Sequence, residues 1–173
     1  MDSYHTERHP VGARVLKTSM AHIAVRRHDA RSAALGDLVA ELLRMDEPRR
    51  RLAGEMSGLD IRYDLGDGHP LRGRRMPDLD LATAAGPQRL YDLLRRAEPA
   101  LVNLVDDRFD SGAWSDRVPR VDASTDDPWI LPVIGAVDAP PAVLVRPDGH
   151  VAWAGEAGQA GLDAALARWF GPP

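Results

Sequence analysis

Apolar residues recur at helical spacing through the first third of the chain. Val11, Val15, Met20 and Ile23 follow a loose stripe. Leu35, Leu38, Val39, Leu42 and Leu43 fall at i, i+3, i+4, i+7 and i+8, which predicts an amphipathic helix. Asp46 to Pro48 breaks that stripe; Pro48 suits the start of another helix and Gly58 its end. Pro10 disfavours helical geometry at His9 and suits a first helical turn. The pattern predicts a helical arm over 1–62. Gly66, Gly68, Pro70, Gly73 and Pro77 then fall in a stretch without periodicity, so 63–77 is expected to be a linker.

From residue 78 the periods shorten and alternate. Residues 77–83 read as a strand, and 86–97 as a helix with Pro87 at its start and Leu90, Leu93, Leu94 and Ala97 facing inward. Ala100 to Val105 is an apolar run of buried-strand type. Residues 117–123 predict a further strand, placed at an edge by Pro119. Ala142–Val145 and His150–Trp153 flank Pro147-Asp148-Gly149, which predicts a β-hairpin. Leu162, Ala165, Leu166, Trp169 and Phe170 form one face of a terminal helix stopped by Gly171. Strand, helix, strand, edge strand, hairpin, helix is a thioredoxin-like order. A cis-proline precedes the hairpin in that fold, and Pro140-Pro141 occupies the place here. The expected class is therefore α/β: a helical arm over 1–62, a linker, and a thioredoxin-like domain over 78–173.

Composition removes several kinds of chemistry. With no cysteine among 173 residues, the chain has no thiol nucleophile, thiolate metal site or Cys-x-x-Cys redox pair. A net charge of −4 gives no electrostatic case for nucleic acid or an anionic membrane. No apolar run reaches the length of a membrane span and the N-terminus lacks a signal-peptide core, so the expected location is cytoplasmic. One lysine against 21 arginines points to a GC-rich bacterial source such as an actinomycete.

Candidate chemistry is sparse. His5 and His9 have the i, i+4 spacing of zinc ligands, but Thr6 stands where the hydrolase motif needs glutamate, which favours a solvated helix face over a metal site. The glycine-rich stretch at Leu65–Gly73 lacks nucleotide-binding spacing and reads as a turn. Arginines at 49–51 and 74–75 read as surface ion-pair donors before phosphate ligands. Asp106-Asp107 and Asp126-Asp127 read as solvent-facing loop carboxylates rather than acid–base pairs. The four tryptophans, at 114, 129, 153 and 169, read as core, with Trp129 the one placed to line a pocket.

Seven stretches carry a family resemblance: "DSYHTERHPVGARV", "LVAELL", "SGLDIRYDLG", "HPLRGRRMPDLDL", "LYDLL", "VLVRPDGHVAWAG" and "ALARWFG". In this order they resemble the C-terminal portion of the class A FAD-dependent aromatic hydroxylases that tailor aromatic polyketides in actinomycetes. In that family the flavin domain precedes the Tyr-x-x-Glu-Arg-x-Pro stretch matched by Tyr4, Glu7, Arg8 and Pro10. The resemblance implies interdomain helices followed by a thioredoxin-like domain without a dithiol. No catalytic residue carries over, and no cofactor is expected on this chain.

Four readings follow. The first is an accessory protein of antibiotic tailoring, covering its apolar helical face with a homodimer partner through 1–60. The second is a cofactor-independent cyclase or isomerase binding a polyketide between arm and domain, with His22, Asp60, Arg62, Tyr63 and His69 as candidate site residues. The third is half of a split monooxygenase that complements a separate flavoprotein. The fourth is a relic without activity.

Overall fold

The structure is a computed structural model that describes residues 2–105 and 108–173. The Asp106-Asp107 pair lies outside the described residues. The chain divides into two compact units, Met1–Ile61 and Arg62–Pro173: a helical arm and a mixed-sheet α/β domain.

The arm holds three helices, α1 (Asp2–Val25), α2 (Ala30–Leu42) and α3 (Asp46–Ser57). Pro10 does not start α1 but sits inside it, so His9 is helical, contrary to expectation. A proline inside a helix forfeits its own N–H bond and crowds the carbonyl four residues earlier, so α1 continues through Pro10 at a cost. Asp29 caps α2 by accepting from the Arg31 and Ser32 amides, and Gly58 ends α3 in the left-handed region at φ 72°. The predicted stripe of α2 is present, but Leu35, Leu38 and Leu42 remain exposed. Over residues 4–61 only Gly54 is buried.

The second unit is built on a six-stranded mixed sheet. Its strands are β1 (Asp80–Thr83), β2 (Gly86–Arg89), β3 (Ala100–Asn103), β4 (Arg120–Ser124), β7 (Ala142–Val145) and β8 (Val151–Trp153), in the order β2-β1-β4-β3-β7-β8. A separate two-stranded ribbon joins β5 (Ile130–Leu131) to β6 (Gly135–Ala136). Strands β3 and β4 are parallel; β7 runs against β3 and β8. A short helix α4 (Leu90–Leu93) and a 3-10 turn (Leu94–Arg96) follow β2, and α5 (Gly158–Phe170) ends the unit. One sheet face packs Leu81, Val102, Val143 and Val145 with Leu71, Leu90 and Trp129. The other packs Leu101, Leu144 and Trp153 against Leu162 and Leu166 of α5. Trp129 and Trp153 are core residues, and Trp129 lines no cleft described below.

Four expectations are corrected. Residues 86–89 are strand rather than helix, because Gly86 (φ 113°) turns the chain back and pairs 86–89 along β1. Strand β4 is internal, lying between β1 and β3. Pro119 precedes its first paired residue and contributes only its carbonyl, accepting from the Leu101 amide at 3.0 Å. Every described peptide bond is trans, so the expected cis-proline before the hairpin is absent from the described residues; Pro141 instead fills the space beside Gly155 and accepts from the Leu104 amide.

The fourth correction is the largest. Segment 63–77 is no linker: Tyr63, Leu65, Leu71 and Met76 are buried. Its backbone laces along β8, with Gly73 N to Val151 O, Val151 N to Arg74 O and Met76 N to Gly149 O, each 2.9 Å. Tyr63 N donates to Gly73 O at 2.8 Å. A Cβ on Gly73 would lie 2.1 Å from Tyr63 O, and its φ of +78° also requires glycine.

Candidate functional site

The five candidate residues divide between the two units. In the arm, Arg14 Nη1 and Nη2 donate to the two carboxylate oxygens of Asp60 at 2.9 and 3.0 Å. This bidentate pair fastens α1 to the chain beyond α3. Thr18 Oγ1 hydrogen-bonds Glu55 one turn further along α1. His22 lines a recess of about 220 Å³ beside them, with Arg14, Thr18, Glu55 and Met56. His22 and Asp60 thus both lie near Arg14, where Asp60 has a fastening role.

In the second unit, Arg62 Nε donates to Arg72 O at 3.4 Å and Arg62 forms an isolated bridge with Arg74. Tyr63 is a core residue, its ring 4.5 Å from that of His150. His69 is held on three sides: its amide donates to Glu156 Oε1 at 2.7 Å, Nδ1 accepts from Leu71 N at 3.2 Å, and Nε2 lies 3.0 Å from Asp138 O. Acceptance at Nδ1 assigns the proton to Nε2, which donates to Asp138 O. All three residues hold the 62–76 segment in place.

Sequence reasoning missed two groups. The first is Arg146, Asp148 and His150 in the β7–β8 hairpin. Arg146 Nη2 donates to Asp148 Oδ2 at 2.8 Å, and His150 Nδ1 lies 3.4 Å from the same oxygen. Burial alone would raise the Asp148 pKa, but hydrogen bonds from His150 and the Arg146 and His150 charges outweigh it and hold the carboxyl well below the usual range.

The second group lies at an open cleft of about 510 Å³ across β1, β4 and β3. Its polar lining is Thr83, Asn103, Asp122 and Ser124; Leu104, Val105 and alanines supply the apolar part. Asn103 is buried at 2 % exposure, opposite Asp122 in the parallel ladder. Asn103 Nδ2 donates to Val105 O at 2.6 Å and Asp122 Oδ1 at 2.8 Å. Hydrogen bonds from Arg120, then from Asn103, lower the Asp122 pKa against a smaller burial effect. The sequence did carry a trace of this site: one asparagine inside the apolar run Ala100–Val105. A polar residue in a buried strand needs partners.

Among the described residues no group of three or more His, Asp or Glu is arranged to hold a metal. The Gly66–Gly68 turn does not fit a flavin's diphosphate. The glycine-rich turn at Gly66–Gly68 opens no helix, and the Glu156 carboxylate occupies it: a Cβ on Gly68 would meet Glu156 Oε1 at 2.5 Å. A fixed anion there repels phosphate, whereas such sites present free amides. No described helix is long and apolar enough to cross a membrane.

Residues 69–173 match the model of the aromatic-ring hydroxylase C-terminal family. The chain is 42% identical over 179 residues to 12-dehydrotetracycline 5-monooxygenase/anhydrotetracycline 6-monooxygenase of Streptomyces rimosus, covering 100% of this chain and 35% of that protein. It is 37% identical over 172 residues to dialkyldecalin synthase of Streptomyces rugosporus, covering 99% of this chain and 32% of that protein. A crystal structure of an aromatic hydroxylase from angucycline biosynthesis superposes with a TM-score of 0.86 at 44% identity, covering 99% of this chain and 35% of that one. The chain spans about a third of the length of these relatives.

Proposed function

We propose that this chain, which belongs to the aromatic-ring hydroxylase C-terminal family, acts in the tailoring of an aromatic polyketide as a part that binds no flavin itself. In this reading its helical arm docks a flavin-binding polypeptide that performs the redox step, in the cytoplasm. One observation carries the reading: the arm exposes the apolar side chains it should bury. Leu16, Met20 and Ile23 of α1 are 67%, 64% and 68% exposed. A helix of this length draws its stability in water from packing an apolar face, so such a surface calls for a partner. The mismatch of Gly66–Gly68 with a flavin's phosphates supports placing the cofactor elsewhere. The order β8-β7-β3-β4, with β7 alone reversed, supports a thioredoxin-like character for the second unit.

Co-expression with flavoproteins of the producing pathway, followed by affinity capture and light scattering, tests the docking. A yellow complex of defined stoichiometry is expected. A colourless homodimer would replace the flavoprotein by a second copy of the chain, and a stable monomer would overturn both.

A second reading, a cofactor-independent cyclase or isomerase, is favoured by the similarity to dialkyldecalin synthase and by the recess beside His22. Conversion of a pathway intermediate without flavin or nicotinamide would establish it, and His22→Ala should then abolish turnover.

A further inference from the structure

The histidine pair of α1 has the geometry of a chelate. His5 and His9 stand one helical turn apart, and both are exposed. The sequence pattern sets Pro10 against this spacing, yet α1 runs from Asp2 to Val25 with Pro10 inside it. Residues four apart on a helix carry Cβ atoms about 5–6 Å apart on one face. The two rings meet there, with centroids 5.1 Å apart and planes inclined by 34°. A metal ion about 2.0–2.1 Å from one nitrogen of each ring stands about 3.2 Å from each centroid. Bond angles of about 90–110° at the ion then put the centroids about 4.5–5.2 Å apart. The observed separation falls inside that range, so turning the rings about their own side-chain bonds completes the site on the existing backbone.

We propose that His5 and His9 together bind one divalent late transition ion, such as Zn²⁺, Ni²⁺ or Cu²⁺, through one nitrogen each. Neutral imidazole suits these ions, whereas Mg²⁺ and Ca²⁺ favour oxygen donors. Among the described residues no third His, Asp or Glu joins the pair, so water fills the ion's other positions. Thr6 stands where a hydrolase would place its glutamate base, so the site holds an ion without hydrolytic machinery. Its effect is on the helix. Pro10 lacks the N–H that would reach back one turn. An ion held by residues 5 and 9 clips the overlapping turn from outside. The neighbouring Arg8 stands over the Tyr4 ring, 6.0 Å from its centroid, one residue round the helix from the pair. The site requires neither a docked partner on the arm nor a flavin.

The test titrates Zn²⁺ and Ni²⁺ into the whole chain, without flavoprotein, and uses Mg²⁺ as the hard-ion control. Calorimetry should show saturable binding of one Zn²⁺ or Ni²⁺ per chain and none of Mg²⁺. The His5 and His9 imidazole resonances should shift together with Zn²⁺, and amide exchange over 5–9 should slow. Loss of either ring removes the chelate, so His5→Ala and His9→Ala should each weaken binding at least about tenfold. Both side chains are exposed, so these variants should keep the parent's circular dichroism. His28→Ala, beyond the end of α1, should bind as the parent does. Glu7→His combined with His9→Ala keeps two histidines but sets them about 200° apart round the helix. It should bind as weakly as His9→Ala. Parent-like affinity in either single variant or in the relocated pair would overturn the site. So would loss of binding in His28→Ala, or no saturable binding at all. Unchanged amide exchange with the ion bound would overturn the clip. None of these results bears on whether a flavoprotein docks on the arm.

Discussion

Arg146 stands over Trp169 with its guanidinium carbon 4.1 Å from the ring centroid. This contact ties the β7–β8 hairpin to the last turn of α5, and the same guanidinium donates to Asp148 across the hairpin turn. Three residues thus lock two elements whose sequences are separated by a loop. A planar guanidinium can stack and donate at once, which an ammonium cannot do. Arg146→Lys should therefore lower unfolding stability by about 1–2 kcal/mol, and Trp169→Leu by a similar amount. Urea titration of the single variants and the double variant checks the coupling: the double loss should be smaller than the sum of the singles.

The hairpin also sets a pH dependence. The folded Asp148 pKa lies below its unfolded value of about 3.9. The folded state then binds the proton less readily than the unfolded chain, so this stabilisation is present above about pH 4 and is lost as pH falls further. Denaturation midpoints measured from pH 6 to pH 2 should fall in the acid limb. Asp148→Asn should start lower and show a shallower acid decline.

Gly73 is the least replaceable residue of the 63–77 segment. Gly73→Ala would drive a Cβ to 2.1 Å from the Tyr63 carbonyl, a backbone atom, in a left-handed conformation. Its expected cost is about 3 kcal/mol or more. Gly66→Ala, where no atom lies within 4 Å but φ is +93°, should cost less, about 1 kcal/mol. Thermal unfolding of the two variants distinguishes crowding from conformational strain.

The arm's exposed face predicts its own signature. The chain alone should bind a hydrophobic fluorescent dye, and Leu16→Glu with Ile23→Glu should abolish most of that signal. Both residues are largely exposed, so the change should leave stability within about 0.5 kcal/mol. The same pair should disrupt capture of the docking partner. Retained capture would move the partner to another surface.

Features governed by neighbours in sequence were legible from the residues alone. Helices α2 and α3, the Gly58 stop, the Pro147-Asp148-Gly149 hairpin and α5 with Leu162 and Leu166 inward all follow from periodicity and turn chemistry. These forces act within a few residues. The family resemblance was also legible, because it rests on the order of short stretches. Locally ambiguous signals failed. Pro87 is as good at a helix start as in an edge strand, and only pairing with β1 decided between them. Pro119 pointed to an edge, although a proline just before the first paired residue costs an internal strand nothing.

What the sequence determined, then, is which segments are helix, hairpin or apolar strand, and which chemistry is barred by the absence of cysteine. Tertiary structure decided the rest. It drew 63–77 into the core by lacing Gly73 and Met76 to the β8 hairpin, which no composition rule for glycine-rich stretches can foresee. It gave Tyr63 and His69 packing and fastening roles, and separated them from His22 and Asp60 into different compact units. It set Asn103 opposite Asp122 across the parallel ladder, leaving one amide oxygen buried without a donor. Register between distant strands fixes such encounters. A shift of one residue would turn each side chain to the opposite face, so the pairing of whole strands, not local preference, determines which polar groups meet.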